Sequence, residues 1–512
     1  MLVHRSSSPQ AHVETGPAPE GPRCQTRSEQ ALWLFILWSA REPHRVGESA
    51  LCDHEKALVL GRAPVLCGGE RAVCFAPRRP VQTTGSTAGP TACAPPAALP
   101  ELLGEALSRR QIEIFVEADA LRVHNVGRCP MWVNGALTGR ARVGHGDTIH
   151  LQQQLLLLCV RRSPHLPELR VYPSERTGPF GCADRDGIVG ESAAAWQLRE
   201  QIAACAGSEG SVLVLGPSGA GKELVAQALH ALSRRRHRPL LAENAAVLPA
   251  GLGAALLFGN RRNFPNPGME ERTGLLGQAE GGTLFLDEIG DMGSELQPLL
   301  LRVMERSGEY LRLGDEAHPR RADVRFLAAT NHPERVRVEL RRRFQHEIVV
   351  PDLHERIEDI PLLARHILLA RAARCARTAR FLCGDQVRLD PRLLEQLVRH
   401  RYVTHVSELG FLLGRAVQES ERDILLPLVP GPQAARSLGP AAPVAVPEPA
   451  RVAAAAVAAP CPLAPRSLPS AAEAQQALDA AGGSVLRAAA KLRITRHQLN
   501  RLIRREGLSK NR

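Results

Sequence analysis

The 512-residue sequence is short of aromatic side chains, at 4%, and nearly without lysine: only four of its 65 basic residues are lysine and the rest are arginine. So lopsided a choice points to a compositional bias of the encoding genome, and the formal net charge of +12 is therefore weak evidence for an anionic partner. The twelve cysteines include no Cys-x-x-Cys pair and no histidines cluster at metal-ligand spacing, which argues against a disulfide framework and against a zinc site. These thiols are expected to be small buried hydrophobes. No apolar run approaches the roughly 20 residues of a bilayer span, the longest being Leu32 to Trp38, and no basic-then-apolar leader opens the chain. A cytoplasmic protein with no membrane partner is expected. What is present, 44% hydrophobic residues over this length, suffices for roughly two to four domains.

Two motifs near mid-chain carry chemistry. Gly216-Pro217-Ser218-Gly219-Ala220-Gly221-Lys222-Glu223 fits a phosphate-binding loop, whose glycines let backbone N–H groups close around phosphates while Lys222 reaches the outer ones. The preceding Ser211 to Leu215 reads as a buried strand and Glu223 to Leu232 as a helix, the context this loop requires. Further on, Gly281-Gly282-Thr283-Leu284-Phe285-Leu286-Asp287-Glu288 is an apolar strand ending in two carboxylates. Asp287 is placed to hold Mg2+ and Glu288 to act on a water at the γ-phosphate, so together the motifs make a nucleoside-triphosphate site.

The organisation follows from shifts in composition. Residues 1–30 lack apolar periodicity and are expected to be disordered. Short Val/Leu/Ile-rich runs separated by Gly, Pro and Asn over 31–162, among them Ala57 to Leu60, Ile112 to Glu117, Ala120 to His124 and Leu155 to Val160, predict an all-β sandwich. A proline-bearing linker spans 163–185. From 186 to 425 strands alternate with helices, predicting an α/β domain with a lid that is helical throughout from about 353. A Pro/Ala-rich tether covers 426–469, and a small all-α unit closes the chain at 470–512.

Over Gly187 to Glu421 the pattern resembles the AAA+ domain of sigma-54-dependent transcription activators. The matching residues are Gly187 to Ser192, the Gly-Lys-Glu end of the phosphate loop, Leu257-Phe258-Gly259, Gly281 to Gly290, Leu299 to Val303, Ala328 to Asn331, and Glu355 to Pro361. The resemblance implies ATP and Mg2+ as ligands, a homo-oligomeric ring, DNA sites upstream of promoters, and RNA polymerase carrying sigma-54 as a partner. By position it also implies Asn331 as a first sensor near the γ-phosphate and Asn244 as the side chain that holds Glu288. Arg337 and Arg343 would be a pair reaching a neighbouring subunit's nucleotide, a role that suits a permanently charged planar guanidinium.

Three departures bear on what this domain does. Asn263-Phe264-Pro265-Asn266-Pro267-Gly268 stands where the family has the Gly-Ala-Phe-Thr-Gly-Ala loop that contacts the sigma factor, and two prolines give it a different backbone. Ser407 occupies the place of the second-sensor arginine and brings no charge. The stretch from Asn331 to Arg337 is shorter than in the family. A regulator that binds nucleotide without remodelling sigma-54 polymerase, and an ATPase acting on some other protein, therefore stand as alternatives to the activator.

The sandwich resembles a forkhead-associated domain, on Gly61-Arg62, Ser108-Arg109-Arg110, Asn134-Gly135 and Gly146-Asp147. This implies a phosphothreonine protein or peptide as partner, bound by Arg62, Ser108 and Arg109, since charge-assisted bonds to a dianion discriminate against a bare hydroxyl. Gln111 replaces a common histidine, and Gly127 to Pro130 replaces the usual Asn-Gly loop. At the C-terminus, helices Ala471 to Ala480, Ser484 to Leu492 and Thr495 to Arg504 are predicted, with Ser484 and Thr495 as N-caps. They form a helix-turn-helix pattern resembling the Fis-type DNA-binding module. From Ser484 onward nine basic residues face one acid, Glu506. The third helix offers Arg496, His497, Gln498, Asn500, Arg501, Arg504 and Arg505 to phosphates and base edges.

Overall fold

The computed structural model describes residues 30–429, except 54–55, 65, 81–101, 249–250, 265, 306–307 and 316, together with 475, 476 and 479. The chain divides into two compact units, Met1–Gly439 and Pro440–Arg512. In the second, residues 475, 476 and 479 are helical and Gln475 Nε2 donates to Asp479 Oδ1 at 2.9 Å. The rest of the expected helix-turn-helix, with every candidate DNA-contacting residue from Arg496 to Arg505, lies outside the described residues, as do 1–29 and the tether beyond 429.

The first unit begins with a two-sheet sandwich. Its strands are β1 (Ala31–Ser39), β2 (Ser49–Cys52), β3 (Leu58–Leu60), β4 (Arg71–Ala72), β5 (Ile112–Val116), β6 (Leu121–Asn125), β7 (Met131–Val133), β8 (Ala136–Leu137), β9 (Arg140–Val143), β10 (Thr148–Leu151) and β11 (Leu155–Arg162). One sheet runs β2-β1-β11-β10-β7-β8 and the other β4-β3-β5-β6-β9.

The central strands of the first sheet explain their own unbroken apolarity. In β1, Leu32, Leu34 and Ile36 point into the sandwich core, whereas Trp33, Phe35 and Leu37 point the other way into a second core. Its antiparallel neighbour β11 divides in the same manner, with Leu155, Leu157 and Cys159 on the sandwich side and Leu156, Leu158 and Val160 opposite. A period of two thus sorts one apolar run between two cores. Each such side chain, fully buried, contributes about 1.5–3 kcal/mol.

The second core is filled by the lid. Its helices are the last of ten: α1 (Ala193–Ala206), α2 (Lys222–Leu232), α3 (Gly253–Phe258), α4 (Gly274–Gln278), α5 (Leu296–Val303), α6 (Val338–Arg341), α7 (Ile360–Ala372), α8 (Ala376–Ala379), α9 (Pro391–Arg399) and α10 (His405–Glu419). Leu362 and Leu363 of α7, Leu394 and Leu397 of α9 and Leu413 of α10 pack with the outward face of β1 and β11. Polar contacts border this junction: Thr148 Oγ1 donates to Glu395 Oε1 at 2.6 Å, and Arg162 holds both oxygens of the buried Glu358 at 2.8 Å.

Along the chain, between the sandwich strands and the lid helices, comes a parallel sheet, β12 (Val212–Leu215), β13 (Leu240–Asn244), β14 (Thr283–Asp287), β17 (Arg325–Thr330) and β18 (His346–Val349), in the order β13-β14-β17-β12-β18. The hairpin β15 (Glu309–Tyr310) and β16 (Arg320–Arg321) sits outside it. Strand residues alternate between a core holding Leu284, Leu286 and Ala328 and another holding Phe285, Leu327 and Ala329, as a sheet covered on both faces requires.

Three expectations change. The lid is not helical throughout, because Leu382–Cys383 (β19) and Gln386–Val387 (β20) pair as a hairpin around Gly384, whose φ of +60° suits the turn. Residues 163–185 are packed: Leu169 and Tyr172 sit against Trp196, and Asp184 accepts from Tyr172 Oη at 3.0 Å and Arg199 Nε at 2.8 Å. Of the described cysteines, all unpaired, Cys52, Cys129 and Cys159 are buried, but Cys67, Cys74 and Cys383 are exposed because they fall on connections and the hairpin tip. Among the described residues no helix is long and apolar enough to cross a membrane, and no three His, Cys, Asp or Glu side chains group as a metal site.

Candidate functional site

Strands β14, β17 and β12 are neighbours and run parallel, so the residues that follow their C-terminal ends meet in one crevice. After β12, Gly216 to Gly221 curve into the N-terminus of α2. Gly219 has a φ of +75°, and a Cβ there would lie 2.3 Å from Thr404 O and 2.7 Å from Ser407 Oγ. The start of α10 therefore rests directly on the loop, and Val406 N–H donates to Gly219 O at 3.1 Å. Ser407, which the resemblance sets in the place of the second-sensor arginine, thus lies against the loop and brings no charge to it.

Lys222 is only 6% exposed. Its Nζ donates to Gly216 O at 3.2 Å, Pro217 O at 3.4 Å and Glu288 Oε1 at 3.4 Å, a buried cation centred in a ring of oxygens. Ser218 and Glu223 are exposed at the loop tip and first helical turn, while Ala220 is buried. Across the crevice Glu288 takes a left-handed φ of +50°, a strained conformation for a residue with a side chain. Its Oε2 accepts the Asn331 N–H at 3.3 Å. Burial first, and then the charge of Glu288 beside it, push the Asp287 carboxyl above its ordinary range.

These residues fit a magnesium–nucleoside triphosphate. Asn331 Oδ1 is buried with no partner among the described residues, aligned with the sensing role implied for it. Two adjacent carboxylates at a partly buried strand end invite a divalent cation, which Asp287 would hold. Asn244 is not brought to Glu288: it ends β13 opposite Asp287, and its Oδ1 accepts the Ala246 N–H at 2.9 Å instead. Arg337 and Arg343 stand apart from the crevice on the α6 segment. The Arg337 side chain is exposed without a partner among the described residues, whereas Arg343 Nη2 is 3.3 Å from Glu305 Oε1. Arg341 pairs with Glu347, and Arg342, exposed, has no such partner.

The 263–268 loop closes on itself. Asn260, fully buried, donates from Nδ2 to the carbonyls of Arg261, Phe264 and Glu270, and Asn263 Oδ1 accepts the Gly268 N–H at 3.0 Å. The Phe264 ring lies over Gly314, where a Cβ would come within 2.6 Å of it.

At the sandwich tip, the loops after β3, before β5 and after β6 converge. Arg62 N–H donates to Ser108 O at 3.0 Å, Arg128 N–H to Ser108 Oγ at 2.9 Å, and the fully buried Gln111 receives Ser108 N–H at 3.0 Å while donating to Cys129 O at 2.8 Å. Gln111 thus ties together the loops that the residues at 108 and 128 share. Gly61 allows the approach, since a Cβ there would lie 2.0 Å from Arg109 O. Arg62, Arg109 and Arg128 are exposed with no side-chain partner among the described residues. Arg110 is committed elsewhere: it holds Glu70 at 2.6 and 2.9 Å and Glu113 at 2.7 Å, bringing the Glu70 carboxyl down to about 2. Sequence reasoning did not single out Arg128, which only the convergence of loops reveals. Asn134, the other matching loop residue, faces the lid, its carbonyl accepting from Arg399 Nη1 at 3.1 Å.

A glycine loop with a buried lysine, an acidic strand end and an asparagine on the neighbouring strand, capped by a helical lid, define a P-loop nucleotide-binding domain of the AAA+ type. More particularly, residues 188–362 match the family model of the Sigma-54 interaction domain. It is 37% identical over 274 residues to the anaerobic nitric oxide reductase transcription regulator NorR of Aeromonas hydrophila, covering 52% of this chain and 51% of that protein. Against the DNA-binding transcriptional regulator NtrC of a Bradyrhizobium species it is 37% identical over 278 residues, covering 53% and 55%. The chain spans about half the length of the curated relatives it matches. A solved structure of NtrX from Brucella abortus in complex with ADP is 25% identical, with a TM-score of 0.42, over 64% of this chain and 70% of that one.

Proposed function

We propose that this protein is an ATP-binding, DNA-binding transcription regulator of the sigma-54-dependent activator type, working in the cytoplasm as a homo-oligomer and controlled by a phosphothreonine-bearing partner at its β-sandwich. The observation that carries the reading is the convergence of Lys222, Asp287, Glu288 and Asn331 inside a segment that matches the sigma-54 interaction domain. Lys222 and the N-terminus of α2 bind and orient the phosphates. Asp287 would hold Mg2+, which when bound would neutralise phosphate charge. Glu288, swung away from Lys222, is the group able to take a proton from an attacking water. Arg337 and Arg343 reach the crevice of a neighbouring protomer, Arg343 after releasing Glu305.

The test uses the full chain with sigma-54 polymerase at a cognate promoter. ATP-dependent open-complex formation that disappears in Lys222→Ala supports the activator, and its absence in the wild type rejects it. The self-closed 263–268 loop favours a second reading, a nucleotide-dependent regulator that leaves sigma-54 polymerase unremodelled or an ATPase acting on another protein; DNA-stimulated hydrolysis without opening selects it. For the DNA role, Arg501→Ala and Arg504→Ala should each lower affinity and flatten its salt dependence in a shift assay, and unchanged values would remove that role.

A further inference from the structure

Arg356, just before the 3-10 turn that leads into α7, is a buried cation near the crevice whose guanidinium makes few hydrogen bonds among the described residues. It is 5% exposed, its Nε is buried with no partner among the described residues, and its one hydrogen bond is a long one from Nη2 to Ala220 O at 3.4 Å. A buried guanidinium left so poorly satisfied is costly unless an anion lies close by.

The neighbouring acids are all engaged. Asp359 accepts from the N–H groups of Glu191 and Ser192 at 2.8 and 3.0 Å and from Ser192 Oγ at 2.6 Å. Glu358 is taken by Arg162. Asp352 and Glu355 accept each other's backbone N–H groups at 2.8 and 3.2 Å. Arg199, the other nearby cation, is fixed on Asp184 and the carbonyls of Ile188 and Gly190. Burial accordingly weakens the Arg356 guanidinium's hold on its proton.

What Arg356 does touch is informative. The carbonyl of Ala220 belongs to the peptide unit whose N–H is that of Gly221, the last glycine of the phosphate loop, where φ is +105°. The preceding peptide unit is gripped in the same manner by Val406 N–H on Gly219 O. Two successive loop carbonyls are thus held from the lid side, and a donor on a carbonyl strengthens the N–H of the same peptide group.

We propose that Arg356 is a positioning residue for the polyphosphate: it fixes the Gly221 peptide from behind, brings a buried positive charge to the phosphate end of the crevice, and so supplies the lid charge that Ser407 lacks. The inference rests on the nucleotide reading above. It makes Arg356 discriminate nucleoside di- and triphosphates from monophosphates.

Titration calorimetry of the full chain with ATP, ADP and AMP, on the wild type, Arg356→Gln and Arg356→Lys, tests it alongside thermal melting without nucleotide. Arg356→Gln should weaken ATP and ADP by about 10-fold or more, as loss of a charge-assisted bond predicts. AMP affinity should stay within about twofold and the nucleotide-free melting temperature should not fall, while Arg356→Lys restores most of the loss. Unchanged ATP affinity in Arg356→Gln, or an equal loss for all three nucleotides together with a lower melting temperature, overturns the role and leaves the site reading intact. A wild type that takes up no nucleotide overturns both.

Discussion

The crevice and the sandwich tip, the two sites proposed to meet phosphate, treat their cations in opposite ways. Lys222 is withdrawn from water and already occupied by loop carbonyls and Glu288, whereas Arg62, Arg109 and Arg128 stand in solvent around Ser108. The first arrangement meets its desolvation cost in advance, so each contact there is strong and little affected by salt; the second leaves its charges hydrated, so each contact is weak and screened. Buried charge suits a ligand that must be held and acted upon. Exposed charge suits a partner that must come and go.

Four outcomes test this contrast, from the largest effect downward. Phe35→Ala, in the core shared by sandwich and lid, should lower stability by about 3–5 kcal/mol in guanidinium unfolding and also weaken ATP binding, because the lid that rests on Gly219 loses its support. Leu34→Ala, one residue along, removes volume only from the sandwich core, costing about 2–5 kcal/mol with ATP affinity unchanged. Equal nucleotide affinity in the two variants would show that the sandwich and crevice are energetically separate. Next, Lys222→Ala should reduce ATP affinity about 100-fold, or about 2.8 kcal/mol, in calorimetry, with a loss that barely changes between low and high salt.

The third outcome concerns pH. Burial, and then Glu358, raise the Asp359 carboxyl to about 6 from an ordinary value near 3.8. A raised carboxylate binds its proton more tightly in the folded state, so its stabilising contribution is complete below about pH 4 and is lost as pH rises through about 6. Wild-type stability should therefore fall over that window relative to Asp359→Asn, by at most about 1.4 kcal/mol per pH unit, and parallel pH profiles would refute the assignment. The smallest effect is expected at the tip. Arg109→Ala should weaken a phosphothreonine peptide about threefold at low salt and immeasurably at high salt, and a salt-resistant loss would mean the site is more enclosed than its exposure implies.

Much of the crevice could be read from sequence because its parts are local. A phosphate loop needs a strand, glycines and a helix start in immediate succession, and all of these sit between Ser211 and Leu232. Asp287 and Glu288 likewise announce themselves at the end of an apolar strand. For Asn244 the register gives only the strand partner, Asp287, since residues opposite one another need not share side-chain contacts; its oxygen caps Ala246. Arg128 and Arg356 fall in segments noted in the sequence, Gly127 to Pro130 and Glu355 to Pro361, but what sets them apart is long-range: one is brought to Ser108 by loops on different strands, the other is left short of hydrogen-bond partners by a fold whose nearby acids bond elsewhere. The lid hairpin was hidden by its length, two residues a side, below the span at which periodicity registers.

The two-sided strand at the start of the sandwich also limits how this protein can be taken apart. Because Trp33, Phe35 and Leu37 are as much lid residues as sandwich residues, a cut after position 162 would strip the helices of a wall and leave a band of leucines facing water. A nucleotide-binding fragment made that way is expected to aggregate before it could report on nucleotide. Nor can another domain be spliced onto this nucleotide-binding fold unless it presents the same greasy stripe, so the two are obliged to evolve as one piece.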